Sequence, residues 1–417
     1  MEEWKEYKLG EICTKIGSGA TPKGGKEAYL GGETSLIRSQ NVLDFSFSWD
    51  GLAYINNEQA SKLNNVEVEN GDVLLNITGD SVARVCKVPD SVLPARVNQH
   101  VSIIRGDSSI VLNDYIMYFL LYIKPYLLSL SQGGATRNAL TKGMIENISI
   151  PLPSLFKQNE IVSILKSLDD KIEVNRRINE NLEQQAQALF KSWFVDFEPF
   201  KDQPFVDSEL GMIPKGWKIV HLKDVCIKIT DGVHNTVKDD VNGKYLLLSC
   251  KNIKGGKITI GNNERRINED TFLKLRKRTM IDKGDILLSS VGTLGEMVLL
   301  SESLEKIEFQ RSVAIVKPNQ DIVSPHFLYY SLLNQKNRII NAGHGAVQQC
   351  LFISDIAEFT TIIPPKEFIN LFTKVVLQLT NQITLNNKES RRLAELRDTL
   401  LPKLMSGEMK INDINLK

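Results

Sequence analysis

Apolar residues recur at alternating intervals of three and four positions in two stretches of the chain. The first stretch covers residues 165–193 and the second covers residues 376–404. This spacing places apolar side chains along one face of a helix, and its persistence over about four heptads predicts a coiled-coil seam. Polar residues interrupt both seams, including Asn179 in the first and Ser390 in the second. The pattern therefore predicts two long helices, the first running from Ile161 to Trp193.

Short apolar runs bounded by Gly, Asn or Asp predict β-strands elsewhere. In the first half of the chain these runs lie at 36–38, 72–75 and 101–104, and in the second half at 246–248, 285–288 and 313–316. Further helical patterns cover residues 115–130, interrupted near Pro125, and residues 325–333. Each half of the chain is thus predicted to be a mixed α/β region followed by a long helix.

The two halves also repeat one another in sequence. The Trp-Lys pair at positions 4 and 5 returns at 217 and 218, and the run at 71–75 returns at 284–288. Residues 98–100, 134–135 and 168–175 return 211 positions later, at 309–311, 345–346 and 379–386. A period of this length excludes solenoids and propellers. A protein with two similar domains can contact two similar targets at once, and DNA is the commonest target of that kind.

The predicted fold class is α+β, with two repeated mixed α/β domains, two long helices and internal pseudo-two-fold symmetry. Because the termini of a domain usually lie close together, the second helix should run back toward the first domain. The helices would then pair as an antiparallel coiled coil and hold the domains apart. In that pairing Asn179 is predicted to lie opposite Ser390, where a buried polar pair would set the register.

Composition narrows the class of protein. The chain has 417 residues and a formal net charge of +1, so any nucleic-acid surface must be a local patch. Its five cysteines are odd in number and scattered, which argues against a disulfide framework or a zinc site and favours a reducing, cytoplasmic compartment. The N-terminal residues lack the pattern of a signal peptide, and the longest apolar run, at 115–123, is too short to span a bilayer. No membrane partner is therefore expected.

Several phrases around the first long helix carry a family resemblance. They are Gln158-x-x-Ile161-x-x-x-Leu165, then Asp169-x-Lys171-Ile172-x-x-Asn175, and the run Ala-Leu-Phe-Lys-Ser-Trp-Phe-Val-Asp-Phe-Glu-Pro at 188–199. Together with the run at 209–217 and the repeat, they resemble the specificity subunit of prokaryotic type I restriction-modification enzymes over the whole chain. One departure is that the second helix has residues 401–405, Leu-Pro-Lys-Leu-Met, in place of Phe-Lys-Ser-Trp-Phe.

The resemblance implies a division into five segments. Residues 1–153 and 217–365 would be target recognition domains 1 and 2. Residues 154–198 and 366–417 would be conserved helical regions that act as spacer helices, and residues 199–216 would link the two halves.

The resemblance also implies a non-catalytic protein that recognises double-stranded DNA. Each recognition domain would read one half of a bipartite, asymmetric site, while the helices would set the spacing and dock two methyltransferase subunits. Two restriction-translocase subunits would complete an adenine-specific DNA methyltransferase and ATP-dependent endonuclease. S-adenosylmethionine, ATP and Mg²⁺ would be bound by those partners, with no cofactor and no metal in this chain.

The residues themselves favour a role without catalysis. The chain has no G-x-x-x-x-G-K-[ST] phosphate loop and no Asn/Asp-Pro-Pro-Tyr/Phe methyltransferase motif, and its five histidines lack metal-ligand spacing. No combination of nucleophile and base is visible, so an enzyme is the least favoured hypothesis. The alternative to DNA recognition is a coiled-coil adaptor that bridges two protein partners.

Candidate DNA-binding residues are polar side chains at predicted strand ends and in glycine-rich loops, where Arg, Asn and Gln could hydrogen-bond to base edges. They are Arg38, Gln40, Asn41, Arg96, Asn98, Gln99, His100, Thr136, Arg137 and Asn138 in the first half, and Lys251, Asn252, Gln310, Arg311, His344, Gln348 and Gln349 in the second. The alternative for residues 38–41 and 251–252 is that they cap a turn.

Two further groups are candidates for contacts. The basic residues at 265–266 and 276–278 could contact DNA phosphates, although charge runs more often face solvent. The candidates for subunit docking are Gln158, Phe190, Trp193, Phe194 and Phe197. The aromatic members of that group could equally pack the first helix onto the second domain, and both roles could hold.

Overall fold

The computed structural model describes residues 4–22, 29, 31–132, 138–261, 263–345 and 349–409. The chain divides into two compact units. Unit 1 comprises Met1–Val174 and Glu389–Lys417, and unit 2 comprises Asn175–Lys388. Each unit therefore holds one mixed α/β region together with parts of both long helices, so the compact units are divided within the helices and not at their ends.

The secondary structure of the first half of the chain consists of ten strands and six α-helices among the described residues. The strands are β1 (Lys5–Lys8), β2 (Cys13–Ser18), β3 (Thr34–Ile37), β4 (Ala53–Ile55), β5 (Glu67–Val68), β6 (Val73–Asn76), β7 (Val85–Lys87), β8 (Ala95–Val97), β9 (Val101–Gly106) and β10 (Ser149–Leu152). The helices are α1 (Leu9–Ile12), α2 (Asn57–Ser61), α3 (Asn113–Tyr122), α4 (Lys124–Ser131), α5 (Lys142–Glu146) and α6 (Leu155–Phe194).

The second half repeats this plan. Its strands are β11 (Phe205–Val206), β12 (Ile213–Pro214), β13 (Lys218–His221), β14 (Cys226–Asp231), β15 (Tyr245–Leu248), β16 (Ile253–Lys254), β17 (Lys257–Ile258), β18 (Arg266–Ile267), β19 (Ile286–Ser289), β20 (Met297–Leu299), β21 (Ile307–Phe309), β22 (Val313–Pro318) and β23 (Thr360–Ile363). Its helices are α7 (Leu222–Val225), α8 (Glu269–Thr279), α9 (Pro325–Asn334), α10 (Lys336–Asn341), α11 (Ile353–Glu358) and α12 (Lys366–Met405).

The sheets of the two units have matching strand orders. Unit 1 contains a four-stranded sheet β2-β9-β6-β7, and unit 2 contains β14-β22-β19-β20. A second sheet in each unit is built around a parallel pair, β3 with β8 and β15 with β21. The pairs β1–β10 and β13–β23 join the start of each mixed region to its end. The predicted strands at all six positions are confirmed, and the sequence repeat corresponds to a repeated topology.

The repeated Gly-Asp pair has a structural reason in both units. Gly71 has a φ of 83° and Gly284 a φ of 90°, a backbone conformation that glycine adopts without a steric penalty. The following aspartate accepts a hydrogen bond from a backbone N–H three residues earlier, over 2.7 Å at Asp72 and 2.8 Å at Asp285. Each aspartate then pairs with a cation on the neighbouring strand, Arg105 in unit 1 and Lys317 in unit 2. The pair therefore shapes the turn that starts the central strand.

The long helices are continuous and extend beyond the predicted bounds, over 40 residues each. Within unit 2, Asn179 contacts Asn386, whereas Phe190, later in α6, contacts Phe372, earlier in α12. The parts of α6 and α12 in this unit therefore run in opposite directions. Within unit 1, Arg397 of α12 donates a hydrogen bond to the Asp169 carboxylate over 2.7 Å.

The predicted helix register is corrected by these contacts. Asn179 was expected opposite Ser390, but its carboxamide hydrogen-bonds to Asn386 and Asn387, about half a heptad away. The physical reason is that Asn179 and Asn386 are buried, at 5% and 6% exposure, and in this register the Asn386 carboxamide donates to that of Asn179.

Candidate functional site

Two of the predicted DNA-binding asparagines are instead structural. Asn41 is fully buried, and its carboxamide accepts from the Arg38 N–H over 3.0 Å and donates to the Ser48 carbonyl over 2.9 Å. Asn252 is 3% exposed and makes the matching bonds with Ser249 and Thr259. The sequence repeat at these positions therefore reflects a shared turn, and the capping alternative is the correct one for both.

Two further candidates, Arg96 and Asn98, are also committed to internal contacts. The Arg96 side chain is 8% exposed, donates to three internal oxygen acceptors and pairs with Glu67. The Asn98 side chain accepts a hydrogen bond from the His100 N–H over 3.0 Å. Because Arg96 and Asn98 are only 7% and 5% exposed and make these internal contacts, we correct the expectation that these two side chains contact bases.

Three loops of unit 1 converge to form what we call reading surface 1, comprising residues 77–81, 98–100 and 138–140. The Ile77 N–H donates to the His100 carbonyl over 3.0 Å, and the Gly79 N–H donates to the Asn138 carbonyl over 3.1 Å. The Leu140 N–H donates to the Ile77 carbonyl over 2.8 Å, which is a second bond between the first and third loops. The sequence predictions at 98–100 and at Asn138 therefore meet at one place.

A chain of side-chain hydrogen bonds orders reading surface 1. Thr21 donates to the Gln99 Oε1, and the Gln99 Nε2 lies 3.1 Å from His100 Nε2. A carboxamide nitrogen only donates, so His100 Nε2 accepts and its Nδ1–H faces Thr78 Oγ1 at 2.6 Å. Gln99, Asn138 and part of His100 remain exposed, so the surface offers both donors and acceptors to a ligand.

Unit 2 forms the equivalent reading surface 2 from residues 290–295, 310–312 and 349–351. The Gly292 N–H donates to the Gln349 carbonyl over 3.4 Å, and the Leu351 N–H donates to the Ser290 carbonyl over 2.8 Å. The exposed polar side chains here include Arg311 and Gln349. Exposed His344 lies beside them, bonded to the Cys350 backbone, and its Nε2 is 3.2 Å from an Asp355 oxygen. The scaffold is thus shared with unit 1, whereas the exposed side chains differ.

The backbone hydrogen bonds shift the predicted alignment of residues 98–100 with residues 309–311 by one residue. Asn98 donates its N–H to Ile37 at the end of β3, and Gln310 donates its N–H to Leu248 at the end of β15. Asn98 therefore corresponds to Gln310, and the exposed Gln99 to the exposed Arg311. Gly19 and Gly232, which directly follow β2 and β14, also correspond, because a side chain on either would overlap the carbonyl of the residue before this turn, Val97 or Phe309.

The remaining candidate DNA-binding residues differ in exposure. Gln40 and Lys251 are exposed next to the two structural asparagines, although Lys251 pairs with Glu264 over 3.1 Å. Arg38 is half-buried and donates to the Gly51 carbonyl. Thr136, Arg137 and Gln348 lie outside the described residues.

The arginines of the basic cluster in unit 2 are engaged in internal contacts. Arg276 donates to the fully buried Glu308 carboxylate, and Arg278 pairs with Asp231 over 3.0 Å. Arg265 pairs with Asp239 over 2.7 Å, and Arg266 donates to the Gly243 carbonyl over 3.2 Å. These contacts assign a structural role to Arg276, while Arg265, Arg266 and Arg278 hold their contacts from more exposed positions.

The predicted docking residues are largely internal. Gln158 is 1% exposed, and its carboxamide bonds to the backbone of Leu112, Ile110 and Pro153. Phe190 and Phe194 are buried in the core of unit 2, while Trp193 and Phe197 are half-buried at its edge. Gln158, Phe190 and Phe194 are therefore removed from the candidate docking surface, because their side chains are enclosed within the fold. The alternative of helix packing onto the second mixed region accounts for the aromatic residues.

The loops at 77–81 and 290–295 were missed by sequence reasoning. They directly follow the repeated Gly-Asp strands, and Gly79 and Gly292 both have positive φ values, of 74° and 77°. A glycine at the same repeat offset was the available signal.

Other kinds of site find no support in the described parts of the chain. No group of three or more His, Cys, Asp or Glu side chains there could hold a metal ion. Nor is any helix among those residues long and apolar enough to cross a membrane.

Comparisons with known proteins agree with the two-fold organisation. A model of the family described as type I restriction modification DNA specificity domain matches residues 1–184 and 214–395. The type I restriction enzyme MjaIX specificity subunit of Methanocaldococcus jannaschii is 29% identical over 423 residues, covering 99% of this chain and 95% of that protein. The HindI specificity subunit of Haemophilus influenzae is 25% identical over 489 residues, covering 98% of this chain and 100% of that protein.

A solved structure shares the fold. The type I restriction-modification S subunit from M. genitalium has a TM-score of 0.53 at 14% identity, covering 96% of each chain.

Proposed function

The chain belongs to the family of type I restriction-modification DNA specificity domains, and we propose that its two mixed regions each read one half of a bipartite, asymmetric DNA site. As a DNA-specificity subunit it supplies sequence recognition to a restriction-modification system. We assign target recognition to residues 1–153 and 217–365, with reading surfaces 1 and 2 as the regions that face the bases.

The observation that carries this proposal is one scaffold with two sets of exposed side chains. Both reading surfaces are built from three loops held by matching backbone hydrogen bonds. Reading surface 1 presents Gln99, His100 and Asn138, whereas reading surface 2 presents Arg311 and Gln349 beside His344. Because carboxamides and guanidinium groups pair with different base edges in the major groove, two such sets favour two different half-sites.

We assign the spacing between half-sites to the pair α6 and α12, acting as an antiparallel coiled coil with pseudo-two-fold symmetry. Support comes from the opposite directions of α6 and α12 within unit 2 and from the buried Asn179–Asn386 pair, which favours one register over its neighbours. A fixed register gives a fixed number of unspecified base pairs between the two halves of the site.

The same helices are proposed to dock two methyltransferase subunits, with two restriction-translocase subunits completing the complex in the prokaryotic cytoplasm. The assembled enzyme would methylate adenines and cut DNA in an ATP-dependent reaction. S-adenosylmethionine, ATP and Mg²⁺ are assigned to those partners, and this chain is assigned no catalytic step. The alternative of a coiled-coil adaptor without DNA recognition is not favoured, since the family match covers both mixed regions.

Methylation mapping tests the proposal. The chain is expressed with the methyltransferase subunit of its own system in a host free of adenine methylation, and modified adenines are located across the genome. We expect one motif of two specific blocks around a fixed gap. Exchange of residues 1–153 for those of another family member should change one block only.

An unmethylated genome would contradict the proposal. If the methyltransferase subunit is folded and bound to this chain and the genome remains unmethylated, the chain does not confer DNA specificity. Scattered methylation without a shared motif would lead to the same conclusion.

A further inference from the structure

A large apolar side chain is exposed at the same structural position in both units. Trp49 in unit 1 is 46% exposed, and Ile260 in unit 2 is 51% exposed. Neither residue lies in a segment that sequence reasoning selected. Isolated apolar residues are common on protein surfaces, but these two occupy equivalent positions in the two units.

The equivalence follows from the two structural asparagines. The Asn41 carbonyl accepts from the Ser48 N–H over 2.8 Å, and the Asn252 carbonyl accepts from the Thr259 N–H over 2.7 Å. Trp49 and Ile260 are the residues that follow Ser48 and Thr259. In each unit the exposed apolar residue therefore directly follows a turn that the structural asparagine holds through its backbone carbonyl and its carboxamide.

An inner apolar residue supports each exposed one. Phe47, two residues before Trp49, packs against the core of unit 1, and its ring meets the Trp49 ring edge-on at 5.2 Å. Ile258, two residues before Ile260, packs against the core of unit 2 in the same way. Residues two apart in an extended segment lie on the same face, and in unit 1 the ring contact joins the outer side chain to the inner one. The exposed Trp49 side chain is thus held in place by the fold.

The turn that carries these residues adjoins the reading surfaces. In unit 1 the Asn76 Nδ2, one residue before the loop at 77–81, donates to the Ser39 carbonyl over 2.8 Å. In unit 2 the Cys250 N–H donates to Ser312 Oγ over 3.1 Å, within reading surface 2. These bonds place the start of each turn, at Ser39 and Cys250, beside a reading surface, and the exposed apolar residue follows at the end of the same turn.

We propose, resting on the DNA-recognition function above, that Trp49 and Ile260 are apolar base contacts, one for each half-site of double-stranded DNA. An apolar side chain beside polar groups can pack against the thymine methyl group or against the face of an exposed base. The different shapes of tryptophan and isoleucine add to the difference between the two half-sites. Their contribution is independent of charge.

The test uses the full chain in complex with its methyltransferase subunit and a duplex carrying the site found by methylation mapping. Trp49→Ala is expected to weaken binding to this duplex by roughly tenfold, the scale of one lost base–aromatic contact. Binding to a scrambled duplex, and the dependence of affinity on salt, should stay unchanged because no phosphate contact is lost. Tyr54→Ala, which removes another exposed aromatic ring of unit 1 (43% exposed), is the matched control.

Tryptophan fluorescence separates base contact from an indirect effect. DNA binding should quench part of the emission of the wild-type complex, and Trp49→Phe should retain specific affinity while losing that quenching. In unit 2, Ile260→Ala should weaken specific binding, whereas Ile260→Val and the exposed-surface control Val241→Ala should not.

Three results would overturn the inference. They are unchanged specific affinity in both alanine variants, quenching that persists in Trp49→Phe, and weaker assembly with the methyltransferase subunit at unchanged DNA affinity. The last would place these residues in a subunit contact. Since each result requires that the wild-type complex binds its mapped site, none of them is confused with failure of the DNA-recognition function itself.

Discussion

Asn179 on α6 and Asn386 on α12 share a buried hydrogen bond across the helix pair. The Asn386 Nδ2 donates to the Asn179 Oδ1 over 2.8 Å, and the Asn179 Nδ2 donates onward to the Asn387 Oδ1 over 3.0 Å. A shift of either helix would break both of these bonds, which costs free energy because the amides are buried. The contact therefore selects one register from those that an apolar seam alone would permit.

Asn179→Leu tests this selection. Because the substitution removes the acceptor of the buried Asn386 Nδ2, the free energy of unfolding should fall by about 1–3 kcal/mol. The double variant Asn179→Leu/Asn386→Leu should recover much of that loss, giving a clear coupling energy in a double-mutant cycle. Urea unfolding followed by circular dichroism measures both values.

Asn181→Ala is the control for that experiment, since Asn181 is exposed on the same helix and bonds only to Gln185 among its described contacts. Its effect should stay within about 0.5 kcal/mol. If the single Asn179 variant is as stable as the wild type, the buried pair does not set the register.

His326 in α9 should make stability fall as the pH is lowered. Burial, with a smaller contribution from Lys283, lowers the pKa of His326 to about 4, from its usual 6.5. The unfolded chain therefore binds a proton near pH 6.5 that the folded chain binds only near pH 4. The resulting stability is fully present above pH 6.5 and is lost as the pH falls toward 4, by at most about 3 kcal/mol.

His326→Gln should flatten this decline when urea midpoints are compared between pH 7 and pH 4.5. The more exposed His234 provides the control variant, His234→Gln. An equally steep decline in His326→Gln and in the wild type would assign the acid sensitivity to other groups.

Substitution of Arg311 by alanine should affect DNA binding, whereas substitution of Arg276 should affect stability. Arg311 is exposed on reading surface 2, so its loss should weaken DNA binding and reduce the slope of log affinity against log salt by about 1 if it contacts a phosphate. A contact with a base would instead relax one position of the mapped site.

Arg276→Ala should instead destabilise unit 2. It leaves the Glu308 carboxylate, which is fully buried, without its cation. A loss of about 3–5 kcal/mol is expected on that ground. Thermal unfolding checks this value, and a stable Arg276 variant with impaired DNA binding would reverse the assignment.

Substitution of the buried Asn252 should cost more stability than substitution of its exposed neighbour Lys251. Asn252→Ala removes a buried group with three hydrogen-bond partners and should cost about 2–4 kcal/mol of stability. Lys251→Ala removes an ion pair whose lysine is 64% exposed, while the 8% exposed Glu264 keeps its bonds from Asn252 and Gly261, so the loss of stability should be smaller than that of Asn252→Ala. Urea denaturation of both variants measures their free energies of unfolding. Equal losses would contradict the assignment of a structural role to Asn252 alone.

The sequence alone determined the repeat, the positions of the main strands and helices, and the places where polar residues enter the helix seam. These features are local, because strand and helix patterns depend on the spacing of apolar residues and on glycine and proline at turns. The repeated motifs also singled out residues 98–100 and Asn138 as separate candidates, and the tertiary structure shows that they meet.

Only the tertiary structure decided which polar side chains face outward. Arg96 and Gln99 lie three residues apart in one predicted motif, yet Arg96 is held by the backbone of Ala60 while Gln99 is exposed. The partners that bury a side chain lie far away in sequence, so no local pattern reports them. The helix register is fixed in the same way, since Asn179 and Asn386 are more than 200 residues apart and a shift of half a heptad leaves both sequence patterns equally regular.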